Sequence, residues 1–264
     1  MSLLSQLQSD PMGFLINFLY RAPAVLIALT LHELAHGYTA LRCGDPTAEM
    51  MGRLSFNPLK HLDPIGAACM LLFGVGWARP VPVNPRNFRH FRRDELMVSA
   101  AGIVTNLILF LVGTLFMALG VRLMLPVGEL GKDVGSFMLR FDSAGFYDLM
   151  TGGALYDGQL LTMLGAQYTW IAYILRFLCN FTMINLSLAL FNLIPFPPLD
   201  GYRLADALVL RGRLHLSGRA MQICMVAFLA LNYFTDFVSQ GLYRVMIAVQ
   251  SGVLWAMLPL FGMA

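Results

Sequence analysis

Apolar residues in this chain gather into runs of twenty or more, the longest near 97–120 (MVSAAGIVTNLILFLVGTLFMALG) and 168–194 (YTWIAYILRFLCNFTMINLSLALFNLI). About 20 apolar residues in a helix cross the ~30 Å hydrocarbon core of a bilayer, so each run predicts a membrane-spanning helix. Weaker runs at 217–236 and 242–262 predict two more, and 13–41 is long enough for another. The apolar segment 64–78 (PIGAACMLLFGVGWA) is short and bounded by glycine and proline. It predicts a re-entrant segment or a hairpin inside the bundle, because irregular backbone at membrane depth is tolerated only against protein or a water-filled cavity. The expected fold is an all-α integral membrane protein. It is a polytopic bundle of about five to six transmembrane helices with that short re-entrant or hairpin segment, forming a single domain over 1–264.

Composition agrees with the pattern. Of 264 residues, 58% are hydrophobic and 12% charged, against roughly a quarter charged in average soluble proteins, and the mean hydropathy is +0.66. Such a chain cannot cover a soluble surface with charge, and it is far too apolar for disorder. A net charge of +3 gives no reason to expect a nucleic-acid partner. Cys43, Cys69, Cys179 and Cys224 are widely separated and read as small buried hydrophobes, neither a disulfide framework nor a cysteine metal site.

The placement of charge says more than its sum. Residues 42–95 hold eight Lys and Arg and 195–219 hold four, whereas 121–166 hold three against five acids. By the positive-inside rule the first two connections are cytoplasmic and the third external. The expectation is therefore a multi-pass protein of the cell membrane, amino terminus outside. Residues 1–11 carry no Lys or Arg, so no cleavable signal peptide is expected. The Gly-rich connection 121–166 reads as an amphipathic lid or a plain linker.

Against this background four ionisable groups stand out. Residues 31–38 read LHELAHGY, placing His32, Glu33 and His36 in an HExxH pattern on a predicted spanning helix. The i, i+4 spacing sets two imidazoles on one helix face, able to grip one zinc ion, and Glu33 lies within reach of a water at that ion. Ionisable groups inside a span cost about 2.5–3.5 kcal/mol each at its centre and mark functional sites. A catalytic zinc site needs a third protein ligand. No third histidine follows at metzincin spacing, which leaves Glu49, His61, Asp63 and Asp200. Asp200 matches best in depth: it follows the proline-broken segment FNLIPFPPLDGY at 191–202, at the cytoplasmic end of its span, while His36 lies six residues before Arg42. Asp200 can also be read as a turn residue before Gly201. Glu49 in a loop and Asp63 before Pro64 fit less well.

These residues resemble the site-2 proteases, intramembrane zinc metalloproteases, in a compact form without the PDZ domain that some members carry. The resemblance runs through most of 25–205: HELAH at 32–36, GWARPVPVNP at 76–85, SAAGIVTN at 99–106 and NLIPFPPLDG at 192–201. It implies that one zinc ion is bound by His32, His36 and Asp200, that Glu33 is the catalytic base, and that Asn192 lies close to the metal. It also implies hydrolysis of peptide bonds within transmembrane protein or peptide substrates in the lipid bilayer, near the cytoplasmic face. One departure is Ile103, where the family has proline in an AGPxxN pattern, which puts a kink in that span in doubt.

Asn106, Asn180 and Asn185 are expected to make interhelical hydrogen bonds, whereas Asn192, beside the break carrying Asp200, is placed to hold a substrate backbone or an oxyanion. Arg176 is expected to snorkel from the external end of its span. A metal-binding transporter or a non-catalytic membrane interaction protein is the alternative. Glu33, placed as a base and not as a ligand, favours hydrolysis. Neither the substrate's identity nor the oligomeric state is legible in the sequence.

Overall fold

The computed structural model describes residues 11–64, 66, 78–124, 170–210, 217, 219–221, 223–224, 226–228 and 237–261. Helix α1 spans Pro11–Arg42, α2 Thr47–Met50, α3 Phe91–Met124, α4 Ile171–Leu193, α5 Asp200–Ala205 and α6 Phe237–Met257. Short 3-10 turns occupy Pro58–Lys60, Pro85–Asn87 and Leu258–Phe261, and a π-helical turn at Asp206–Leu210 continues α5. The described residues are helical, with no strand among them and one isolated bridge between Leu62 and Ala78.

Among the described residues, three helices, α1, α3 and α4, are long and apolar enough to cross a membrane. At 1.5 Å per residue the 32 residues of α1 and 34 of α3 reach about 50 Å each, beyond a ~30 Å hydrocarbon core. Part of the surplus in α3 is its first turn, which carries Arg92, Arg93, Asp94 and Glu95; Asp94 accepts the His90 N–H there at 2.8 Å. Ile103 sits within this helix, which is continuous from end to end. The expected span at 242–262 falls on α6 and the 3-10 turn after it. Most of 217–236, the interior of 64–78 and residues 125–166 of the connection expected to be external lie outside the described residues. The ends of the 64–78 segment nevertheless meet, since Leu62 bridges Ala78 in antiparallel sense and the Arg79 N–H donates to the His61 carbonyl at 2.8 Å.

The chain divides into two compact units, one of 1–107 with 188–238 and one of 108–187 with 239–264. In the first, α1 buries Ala24, Ala28, His32, His36 and Ala40. These five recur every four residues and form a single row, so the two histidines continue a stripe of alanines that lets neighbouring backbone approach closely. The helix stops at Gly44, whose φ of +106° suits glycine. The Asp45 N–H donates to the Ala40 carbonyl and that of Gly44 to Leu41, the paired bonds of a Schellman cap. Asp45, fully buried, then organises the connection. Its carboxylate accepts from the Asn84 N–H and from Asn87 Nδ2, both at 2.7 Å, and from the N–H and hydroxyl of Thr47. Burial works against ionisation of Asp45, and these donors outweigh it, holding the carboxyl below the usual carboxylate range.

In the second unit, glycines set the helix contact. A Cβ on Gly113 would stand 2.8 Å from Thr182 Cγ2, and one on Gly120 would stand 2.7 Å from Leu175 Cδ2. The opposite side of α3 exposes Ile108, Leu111, Val112, Leu115, Phe116 and Leu119. A helix apolar all round, packed on one side and bare on the other, suits hydrocarbon surroundings and not water.

Candidate metal centre

The site lies wholly in the first unit, on α1, the start of α3 and the turn into α5. The α4 helix ends before Pro195, and α5 begins at once on Asp200, with Leu199 extended at its N-cap. Gly201 makes this fold-back possible, because a Cβ there would lie 2.4 Å from the Leu193 carbonyl oxygen and 2.5 Å from that of Ile194. Asp200 is thereby delivered to the histidine row of α1. His32 Nε2 and His36 Nε2 are 3.1 Å apart, and each is 3.1 Å from Asp200 Oδ2.

The other nitrogens fix the chemistry of this triangle. His36 donates through Nδ1 to the Val98 carbonyl at 2.7 Å, and His32 through Nδ1 to Asn106 Oδ1 at 3.2 Å. When both rings are neutral, these bonds place their protons on Nδ1 and both Nε2 atoms present lone pairs, so three acceptors converge. A proton can satisfy one edge of such a triangle, whereas a cation at its centre satisfies all three corners. Ligands held at 2.0–2.1 Å around a tetrahedral zinc ion lie about 3.3 Å apart, close to the spacing present. The donor set therefore fits zinc.

The α3 backbone closes one side. A Cβ on Gly102 would lie 2.5 Å from His36 Nε2 and 2.6 Å from His32 Nε2. Glu33 is not one of the three ligand groups, and its Oε2 accepts the Val81 N–H at 2.7 Å. Val81 belongs to the proline-flanked stretch of GWARPVPVNP. The same stretch is held by Arg53, which donates through Nη2 to the carbonyls of Arg79 at 2.8 Å and Pro80 at 3.2 Å. One carboxylate oxygen of Glu33 is thus anchored.

The remaining sequence candidates do not join the cluster. Glu49 is exposed on α2. His61 is buried and donates through Nε2 to the Ser55 carbonyl at 2.8 Å. Asp63 accepts the Gly66 N–H at 2.8 Å. Asn192, half-buried, donates through Nδ2 to the Leu188 carbonyl of its own helix at 3.0 Å. Asn106 does bond between helices, to a histidine of the site, whereas Asn180 and Asn185 turn back on their own helix, donating to the Arg176 and Phe181 carbonyls. Sequence reasoning assigned no part to Val81 or Val98, and read Gly102 only as a small residue permitting close helix contact. Backbone groups and a missing side chain carry their contributions, and these have no residue-type signature.

Comparison with known proteins supplies the family. The chain is 35% identical over 235 residues to "Putative zinc metalloprotease YwhC" of Bacillus subtilis (strain 168), covering 89% of each chain. It is 32% identical over 104 residues to "Putative zinc metalloprotease Rip2" of Mycolicibacterium smegmatis, covering 38% of this chain and 40% of that one. No solved structure matches at a significant level. Residues 20–234 match peptidase family M50, and that span contains every residue of the His32, His36 and Asp200 triangle together with Glu33. The chain belongs to peptidase family M50, the site-2 protease family of zinc metalloendopeptidases.

Proposed function

We propose that this protein hydrolyses peptide bonds within transmembrane segments of membrane protein substrates, at a site holding one zinc ion per chain through His32, His36 and Asp200. The observation that carries this reading is the 3.1 Å triangle of acceptor atoms, with both Nδ1 protons committed elsewhere. Zinc, when bound, supplies Lewis acidity: it brings the pKa of water down to about 7 and polarises a carbonyl oxygen.

The chain's own groups supply the rest. Glu33 takes a proton from the attacking water and returns it to the leaving amine, its other oxygen steadied by the Val81 N–H. His32 and His36 stay neutral, so with the Asp200 carboxylate they leave the centre with a net positive charge that favours a developing oxyanion. For Asn192 we propose a hold on the substrate backbone through its amide oxygen, since Nδ2 is committed to Leu188. The substrate helix must open locally, because carbonyls in an intact helix are already hydrogen-bonded.

The reading includes a multi-pass bundle of five to six spans in the cell membrane, amino terminus outside, with the site near the cytoplasmic face. The cluster of Arg and Lys at 42–95 supports that orientation. The deciding experiment reconstitutes the purified chain with a single-span substrate and compares it with Glu33→Gln. Cleavage is expected to fall by about 10²–10⁴-fold with zinc content unchanged. Cleavage surviving in the variant would overturn the mechanism.

A further inference from the structure

We infer that Asn106 is a positioning residue for the metal centre, setting through Oδ1 the tautomer and ring orientation of His32. The inference rests on the zinc reading of His32, His36 and Asp200. Asn106 is fully buried at 0% exposure, and its Oδ1 lies 3.2 Å from His32 Nδ1. One turn earlier on α3, Gly102 brings bare backbone against both imidazoles. One turn earlier again, the Val98 carbonyl takes the His36 Nδ1 proton at 2.7 Å. Positions 98, 102 and 106 form one row, so a single face of α3 presents an acceptor, a gap and an acceptor to the histidine row of α1.

The two acceptors differ in kind. The one for His36 is backbone and survives any side-chain substitution, whereas the one for His32 exists only because residue 106 carries a carbonyl oxygen. The amide must also face one way. Were its NH₂ turned to His32, Nδ1 would become the acceptor and the ring proton would move to Nε2, closing that nitrogen to a metal. Asn106 Nδ2 is buried without a hydrogen-bond partner. An orphaned donor costs desolvation free energy that a leucine here would avoid. The position therefore favours an acceptor at the expense of a comfortable core residue.

The test uses the full chain in detergent, with zinc affinity measured by competition against a chromophoric chelator and site geometry followed by the visible absorption of the Co²⁺-loaded protein. Asn106→Leu and Asn106→Ala are expected to weaken zinc binding about 10–100-fold and to alter the Co²⁺ spectrum. Asn106→Asp, whose carboxylate accepts the same proton, is expected to bind zinc at least as tightly as the parent. A parental affinity and spectrum in the Leu and Ala variants, or weakened binding in Asn106→Asp, would overturn the inference; the Ala and Asp variants decide it if Leu does not fold. His36→Ala separates the two levels. If its zinc content equals that of the parent, the zinc reading fails, whereas parental zinc lost in His36→Ala but kept in Asn106→Leu sinks the Asn106 role alone.

Discussion

Helices α1 and α4 are both apolar enough to span a membrane, and both carry polar residues in mid-course, yet they dispose of them in opposite ways. On α4, Asn180, Thr182 and Asn185 each bond to a carbonyl of the same helix three or four residues back. On α1, His32, Glu33 and His36 reach Asn106, Val81, Val98 and Asp200, all distant in sequence. A polar group that turns back on its own helix satisfies itself at low cost and demands nothing of its neighbours. One that reaches across can be satisfied only if several other segments are correctly placed. A functional site is distinguished by the second behaviour, and polarity inside a span is by itself a weak sign of it.

The contrast can be broken most severely at Gly102. Gly102→Ala should improve α3 as a helix by roughly 0.5–1 kcal/mol, yet its Cβ would fall 2.5 Å from His36 Nε2. Loss of zinc and of cleavage with secondary structure intact is expected, measured by metal analysis beside circular dichroism; a zinc-loaded, active variant would show that α3 does not approach the histidines so closely.

Asp45 extends the reaching behaviour beyond the membrane. Its carboxyl is depressed in the folded protein, so the unfolded chain binds its proton more readily. The stabilisation is therefore complete above the unfolded carboxylate value of about 4 and is lost as pH falls through the lower folded value. Asp45→Asn should cost about 2 kcal/mol at neutral pH. The gap in melting temperature from the parent should shrink below about pH 4, and a gap independent of pH would refute the assignment.

A smaller effect is expected at Val81. Between Pro80 and Pro82 the backbone is already extended, so Val81→Pro fits locally but deletes the N–H that holds Glu33. A fall of about 10-fold in kcat, with zinc content and KM little changed, would mark the loss of one charge-assisted bond. An unchanged kcat would mean that Glu33 needs no such anchor. Smallest of all should be Asn180→Leu and Asn185→Leu on α4. Each should shift stability by about 1 kcal/mol or less and leave kcat/KM within twofold, and a large loss of activity from either would erase the contrast between the helices.

Much of this was legible beforehand because it depends on local chemistry. Apolar run length located α1, α3 and α4, with ends displaced by up to six residues, since a helix crossing the hydrocarbon needs about 20 apolar residues whatever its neighbours. The spacing of His32 and His36 put two ligands on one face because helical periodicity does so in any context. Asp200 was harder, one carboxylate among several candidates, singled out by its depth at the end of a proline-broken span and by the family resemblance of that segment. The Asn residues show the limit. Asn106, Asn180 and Asn185 have similar apolar surroundings in the sequence, and nothing there reveals that only the first faces a histidine.

The sequence by itself determined that the chain carries apolar runs long enough to span a membrane and that His32, Glu33 and His36 lie on one helix, because hydropathy and helical spacing are properties of contiguous residues; its motifs carried the resemblance to the site-2 proteases. Tertiary structure alone decided that Gly102 makes room for the imidazoles and that Val81, Val98 and Asn106 hold the three residues of the motif, and it brought Asp200, already favoured in the sequence over His61 and Asp63, to 3.1 Å from both histidines. Those outcomes depend on which segment lies within about 3 Å of which, and two of the three supports are backbone groups that every residue type carries.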